Sequence, residues 1–97
     1  MSYRATVVPI VQEQFRALPD QVKSGVAGQL RHLLRSPMRR SNRTRIPYPT
    51  HSQICEQVHQ LPDGQAFRVV IVFRFSADEE HLLILQIQIH PASSAWF

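Results

Sequence analysis

Four side chains in the second half of the chain have the types that RNA cleavage needs. Arg68 and Arg74 lie next to the two ends inside the run FRVVIVFRF (67–75), His90 precedes the closing proline of HLLILQIQIHP (81–91), and Glu56 lies inside QICEQVHQ (53–60). RNA breaks at its own 2′-hydroxyl when a base takes that proton, positive charge steadies the phosphorane and an acid protonates the leaving oxygen. Arg68 suits the charge. His90 suits the acid or base, because histidine titrates near neutral pH. The same residues also admit a plainer reading. Arg68 and Arg74 would then pair with Glu56 or with the acidic turn Asp78-Glu79-Glu80, while His90 merely ends a strand. A buried Glu56 answering an arginine outweighs Glu56 as a general base.

His51, Cys55 and His59 recur at four-residue spacing and raise the question of zinc. On a helix they would converge; on a strand consecutive members stand about 13 Å apart and cannot share an ion. No fourth ligand accompanies them, so the reading is a buried thiol beside two polar histidines, with no metal site. A Cys–His nucleophile pair lacks an oriented base and an oxyanion site. With three glycines in the chain there is no phosphate-cradling loop, and no cofactor is implied.

Charge is unevenly placed. The chain holds eleven basic and seven acidic residues, for a net charge of +4. Six of the basic ones, Arg31, Arg35, Arg39, Arg40, Arg43 and Arg45, fall in RHLLRSPMRRSNRTR with no acid among them. Arginine's planar fork matches phosphate and carboxylate. This segment is expected either to face phosphate or an acidic partner, with Arg39, Arg40, Arg43, Arg45 and the separate Arg74 as nucleic-acid contacts, or to be a solvated linker.

These residues need elements to hold them. Residues 67–75 and 81–90 alternate with period two, which predicts an antiparallel hairpin with one face on a core. The expected inward set is Phe67, Val69, Ile71, Phe73 and Phe75 against Leu83, Leu85, Ile87 and Ile89. Residues 3–8 form a short β-prone run that Pro9 ends. Val11, Phe15 and Leu18 mark one helix face, and Val22, Val26, Leu30 and Leu33 mark a second helix that opens at Pro19 or Asp20 and stops at Ser36-Pro37. Gly25 and Gly28 weaken that helix by roughly 1 kcal/mol each and offer close packing on the sheet. Residues 38–50 read as a loop. Residues 50–61 fit either a helix, with Thr50 and Gln53 as a capping box, or a strand entering the turn Leu61-Pro62-Asp63-Gly64.

Ninety-seven residues, 43% hydrophobic and 19% charged, support one globular domain over 1–97. No apolar run approaches the ~20 residues of a membrane span, and the single Cys55 forms no internal disulfide. The expectation is a cytoplasmic protein with no membrane association.

The order strand, two helices, basic loop and three strands resembles the RelE/ParE toxin superfamily over 3–97. ALPDQVKSGVAGQLRHLLRSP is similar to its paired-helix segment, FRVVI to its arginine-bearing strand, and ICEQV before Pro-Asp-Gly to the glutamate strand of its HigB-like branch. The last match selects the strand for 53–60. The resemblance implies an α+β fold, a mostly antiparallel four-stranded sheet with two N-terminal helices on one face. It implies a toxin held by a small acidic antitoxin, acting as a ribosome-dependent mRNA endonuclease or a catalytically weakened relative; the alternative is a non-catalytic binding module such as a gyrase poison. By position, Arg68 matches the family's phosphate-binding arginine, His90 a catalytic strand-end residue and Glu56 the strand glutamate. The chain departs from the nuclease pattern in having no lysine in 53–60, and in carrying Pro91 and Phe97 about where arginine and tyrosine stand.

Overall fold

Proline at the first helical position and a carboxylate at the next helix start set the two helices. In the computed structural model, which describes residues 3–35, 42–43, 52–77 and 81–92 (the backbone alone for 42, 43 and 92), Pro9 opens α1 (Pro9–Arg16) and Asp20 opens α2 (Asp20–Arg35). Pro19 sits just outside α2, its carbonyl accepting from the Lys23 amide at 2.9 Å. Five strands complete the order: β1 (Arg4–Val7) before the helices, then β2 (Asn42–Arg43), β3 (Gln53–Gln60), β4 (Ala66–Phe75) and β5 (His81–Ala92). The spatial order is β1-β5-β4-β3-β2.

The α+β expectation holds, with two refinements. The sheet is mixed, since β1 runs parallel to β5 while every other pair is antiparallel. Within the segment read as a loop, Asn42 and Arg43 add a two-residue strand against Ile54 and Gln53. Residues 53–60 form the strand, not the capped helix. Its hairpin closes through Gly64 at φ +89°, a backbone that glycine adopts without strain, with the Gly64 amide donating to Leu61 O at 3.0 Å.

Both helices lie on one face. Val11 of α1 and Val26 and Leu33 of α2 share a core with Cys55, Phe67, Val69, Ile71, Phe73, Leu82 and Ile84. Gly25 marks a close approach of α2 to the sheet: a Cβ there would stand 3.0 Å from the Phe67 ring and 3.3 Å from His59 Nδ1. Gly28 has no such role, its nearest neighbour being the Arg31 guanidinium at 3.9 Å.

The expected inward set of β5 is corrected. Leu82 and Ile84 are fully buried, while Leu83 and Leu85 are only half-buried. The register explains it. Val72 pairs with Gln86 but Phe73 pairs with Ile84, so Leu85 is an extra residue in a bulge. One inserted residue inverts the alternation before it and leaves Ile87 and Ile89 on the core side after it.

Candidate functional site

The helices pack on one sheet face, and the register fixes what stands on the other. Val58, Arg68 and His90 form one row across β3, β4 and β5; Glu56, Val70 and Gln88 form the next. Directly opposed residues of antiparallel strands project to the same face, so these six side chains share a surface.

Long side chains lean between the rows. The Arg68 guanidinium donates to Glu56 Oε1 at 3.3 Å, with the two side chains 44% and 40% exposed. On the far side, Gln88 Nε2 donates to Gln86 Oε1 at 3.1 Å, which leaves Gln88 Oε1 to accept from His90 Nε2 at 3.1 Å. The His90 ring is thereby held by Nε2, and its Nδ1 is the open nitrogen. Val70, 4% exposed, is the floor between Glu56 and Gln88. A carboxylate, a guanidinium and an imidazole thus stand on three adjacent strands around one apolar floor. Such a set can neutralise a phosphate and hold a proton donor and a proton acceptor beside it.

The other sequence candidates divide. Arg74 is exposed on the same face, opposite Leu83, but six residues along β4 from Arg68 it stands about 20 Å away and does not join the cluster. Arg43 lies on the edge strand β2 beside Gln53. Arg39, Arg40 and Arg45, the acidic turn 78–80, His51 and Phe97 lie outside the described residues. Among the described residues, Arg68 meets Glu56.

Cys55 and His59 lie on the opposite, helix-facing side of β3. Cys55 is buried, and its thiol accepts weakly from Gln29 Nε2 at 3.7 Å. His59 stacks on Phe67 with ring centroids 5.2 Å apart and an interplanar angle of 20°. Burial costs its charged form hydration and lowers its pKa from 6.5. Gln29 escapes a reading of the sequence alone. It sits at 2% exposure in the middle of α2, donating to Cys55 O at 3.0 Å and Val69 O at 3.1 Å while its Oε1 accepts from His59 Nε2 at 2.8 Å. The signal for it is a glutamine between Val26 and Leu33 in an apolar stripe.

No protein-family model and no curated protein matches the sequence. Solved structures do match the fold. A chain of the toxin–antitoxin complex RelBE2 from Mycobacterium tuberculosis superposes with a TM-score of 0.70 at 15% identity, over 93% of this chain and 99% of that one. The isolated Escherichia coli RelE toxin gives 0.60 at 14% identity, over 98% and 92%. A mutant of Escherichia coli RelE in the free state gives 0.56 at 15% identity, over 90% and 82%. The chain has the fold of the RelE toxins.

Proposed function

We propose that this chain is the toxin of a toxin–antitoxin pair and that it cuts RNA, specifically mRNA held by a ribosome, through the RNA's own 2′-hydroxyl. The observation that carries the reading is the placement of Arg68 between Glu56 and His90 on the sheet face that the helices leave open. A phosphate set against Arg68 displaces the guanidinium from Glu56, an exchange of one half-exposed pair for another that costs little. Glu56 then takes the 2′-hydroxyl proton as the oxygen attacks phosphorus. Arg68 balances the charge that builds on the non-bridging oxygens. His90, acting as the imidazolium with Nε2–H held by Gln88, gives its second proton, on Nδ1, to the 5′-oxygen as that bond breaks and is left as the neutral ring. Glu56 thus takes the base role that its residue type alone ranks below a structural one.

The arginines at 39, 40, 43 and 45 grip the RNA backbone outside the cut, and Arg74 extends the positive track along the open face. A small acidic antitoxin fits the same surface, and the RelBE2 structure, being that of a toxin–antitoxin complex, supports such a partner. The workplace that follows is the cytoplasm, with the ribosomes.

A second reading rests on the Arg68–Glu56 ion pair itself. If that pair stays closed, the face is a docking surface and the protein a non-catalytic binder of nucleic acid or gyrase. Expression without a partner separates the two. A nuclease arrests growth and leaves new 5′ ends on ribosome-bound mRNA, and Arg68→Ala or His90→Ala relieves both effects. Harmless expression with intact mRNA gives the binding reading its place.

A further inference from the structure

The Glu56–Val70 pair has a partner on the back of the sheet. Cys55 O belongs to the peptide whose N–H is that of Glu56, and Val69 O to the peptide whose N–H is that of Val70. Gln29 Nε2 donates to both carbonyls, at 3.0 and 3.1 Å. Cys55 and Val69 stand diagonally across the Glu56↔Val70 pair, so this one amide bridges β3 and β4 directly behind the candidate base and its floor. Gln29 is itself fixed at the other end, by His59 Nε2 on its Oε1 at 2.8 Å. His59 is fixed in turn by stacking on Phe67 beneath Gly25. Both ends of the Gln29 amide therefore have partners, and each partner removes a degree of freedom.

We propose that Gln29 and His59 are positioning residues for RNA cleavage: the bridge from α2 sets the height and tilt of the two peptides that carry Glu56 and Val70, and His59 locks the bridge. The proposal rests on the nuclease reading and adds to it a buried support that touches no substrate. An apolar residue of equal size would fill the same space in α2 while releasing both carbonyls. The fold would survive, since the neighbouring core of Val26, Leu33, Val69 and Ile71 is untouched. Glu56 would then wander by a fraction of an ångström to an ångström, a displacement to which proton transfer is far more sensitive than binding is.

The test uses Gln29→Met, which keeps the volume, and His59→Phe, which keeps the stack on Phe67 but loses the donor. His59→Gln, which keeps a donor near the Nε2 position, is the conservative control. With ribosome-bound mRNA as substrate, kcat is expected to fall by about tenfold or more in Gln29→Met and His59→Phe. KM stays the same, the melting temperature falls by several degrees while unfolding stays cooperative, and His59→Gln recovers most of the rate. Amide hydrogen exchange at Glu56 and Val70 is expected to quicken in the first two variants and not in the third. Unchanged kcat in both variants, or a loss that His59→Gln shares fully, overturns the proposal. If Gln29→Met does not fold, His59→Phe decides alone. If the parent protein cuts no RNA, the nuclease reading has failed and the exchange rates decide by themselves: faster exchange at Glu56 and Val70 upholds the bridge, and parental rates remove it.

Discussion

Phe73 pairs with Ile84 across the β4–β5 ladder, one residue out of step with the Val72–Gln86 pair beside it. This slip lets one strand serve two surfaces. Before it, Leu82 and Ile84 face the helices; beyond it, Gln86, Gln88 and His90 line the open face while Ile87 and Ile89 hold the core.

The bulge gives the first expectation. Ile84→Ala should destabilise the fold by about 2–5 kcal/mol and Phe73→Ala by about 3–5 kcal/mol. Leu85→Ala should cost distinctly less than Ile84→Ala, because Leu85 is only half-buried in the bulge. Urea titration of the three variants checks this, and equal losses at 84 and 85 would restore the uninterrupted register.

Most of the fold is legible in the sequence because its elements carry strong periodic signals. The inward face of β4 follows directly from the alternation of Phe67, Val69, Ile71 and Phe73. The register slip at Leu85 is not legible, since Leu82, Leu83, Ile84 and Leu85 are all apolar and no alternation exists there to read. The choice of strand for 53–60 comes from the family likeness, because Gln, Ile, Cys and Val in that segment fit either period. At the site, Arg68 and His90 are visible as lone polar residues ending apolar runs. That they stand opposite one another, with Glu56 within reach of Arg68, depends on strand register, which no single segment encodes.

Glu56→Gln is expected to separate chemistry from stability. Removing a general base slows cleavage by ~10²–10⁴-fold. The half-exposed ion pair that it breaks contributes no more than ~1 kcal/mol to folding. Rate assays alongside thermal melts check both halves, and an undiminished rate would return Glu56 to a structural role.

His59 is expected to make the fold less stable in mild acid. Its folded-state pKa lies below 6.5 because burial disfavours the charged ring. Well above that value neither state holds the proton and His59 contributes nothing. As pH falls through 6.5 the unfolded chain takes up the proton first, so stability declines until the folded value is passed. Urea midpoints measured at about pH 7.5 and about pH 5.5 should show the decline, and His59→Gln should reduce it.

The arginine segment is expected to report through salt. Replacing Arg39, Arg40, Arg43 and Arg45 by glutamine should flatten the dependence of RNA affinity on salt, by up to ~0.7 in logarithmic slope for each single-strand phosphate that an arginine no longer neutralises. Binding titrations over a series of salt concentrations measure it. An unaltered slope would mark the segment as a solvated linker.

The parallel pairing of β1 with β5 has a consequence for biosynthesis. Arg4 pairs with His81, so the first of the described strands waits for the last of them. The entropy of closing so long a loop grows slowly with length, but the search it imposes is slow. During translation β1, α1 and α2 are out well before β5, and the sheet closes in one late step. His90 arrives with that same strand. On the nuclease reading proposed above, the face that carries Arg68 and His90 is therefore completed only once β5 is out.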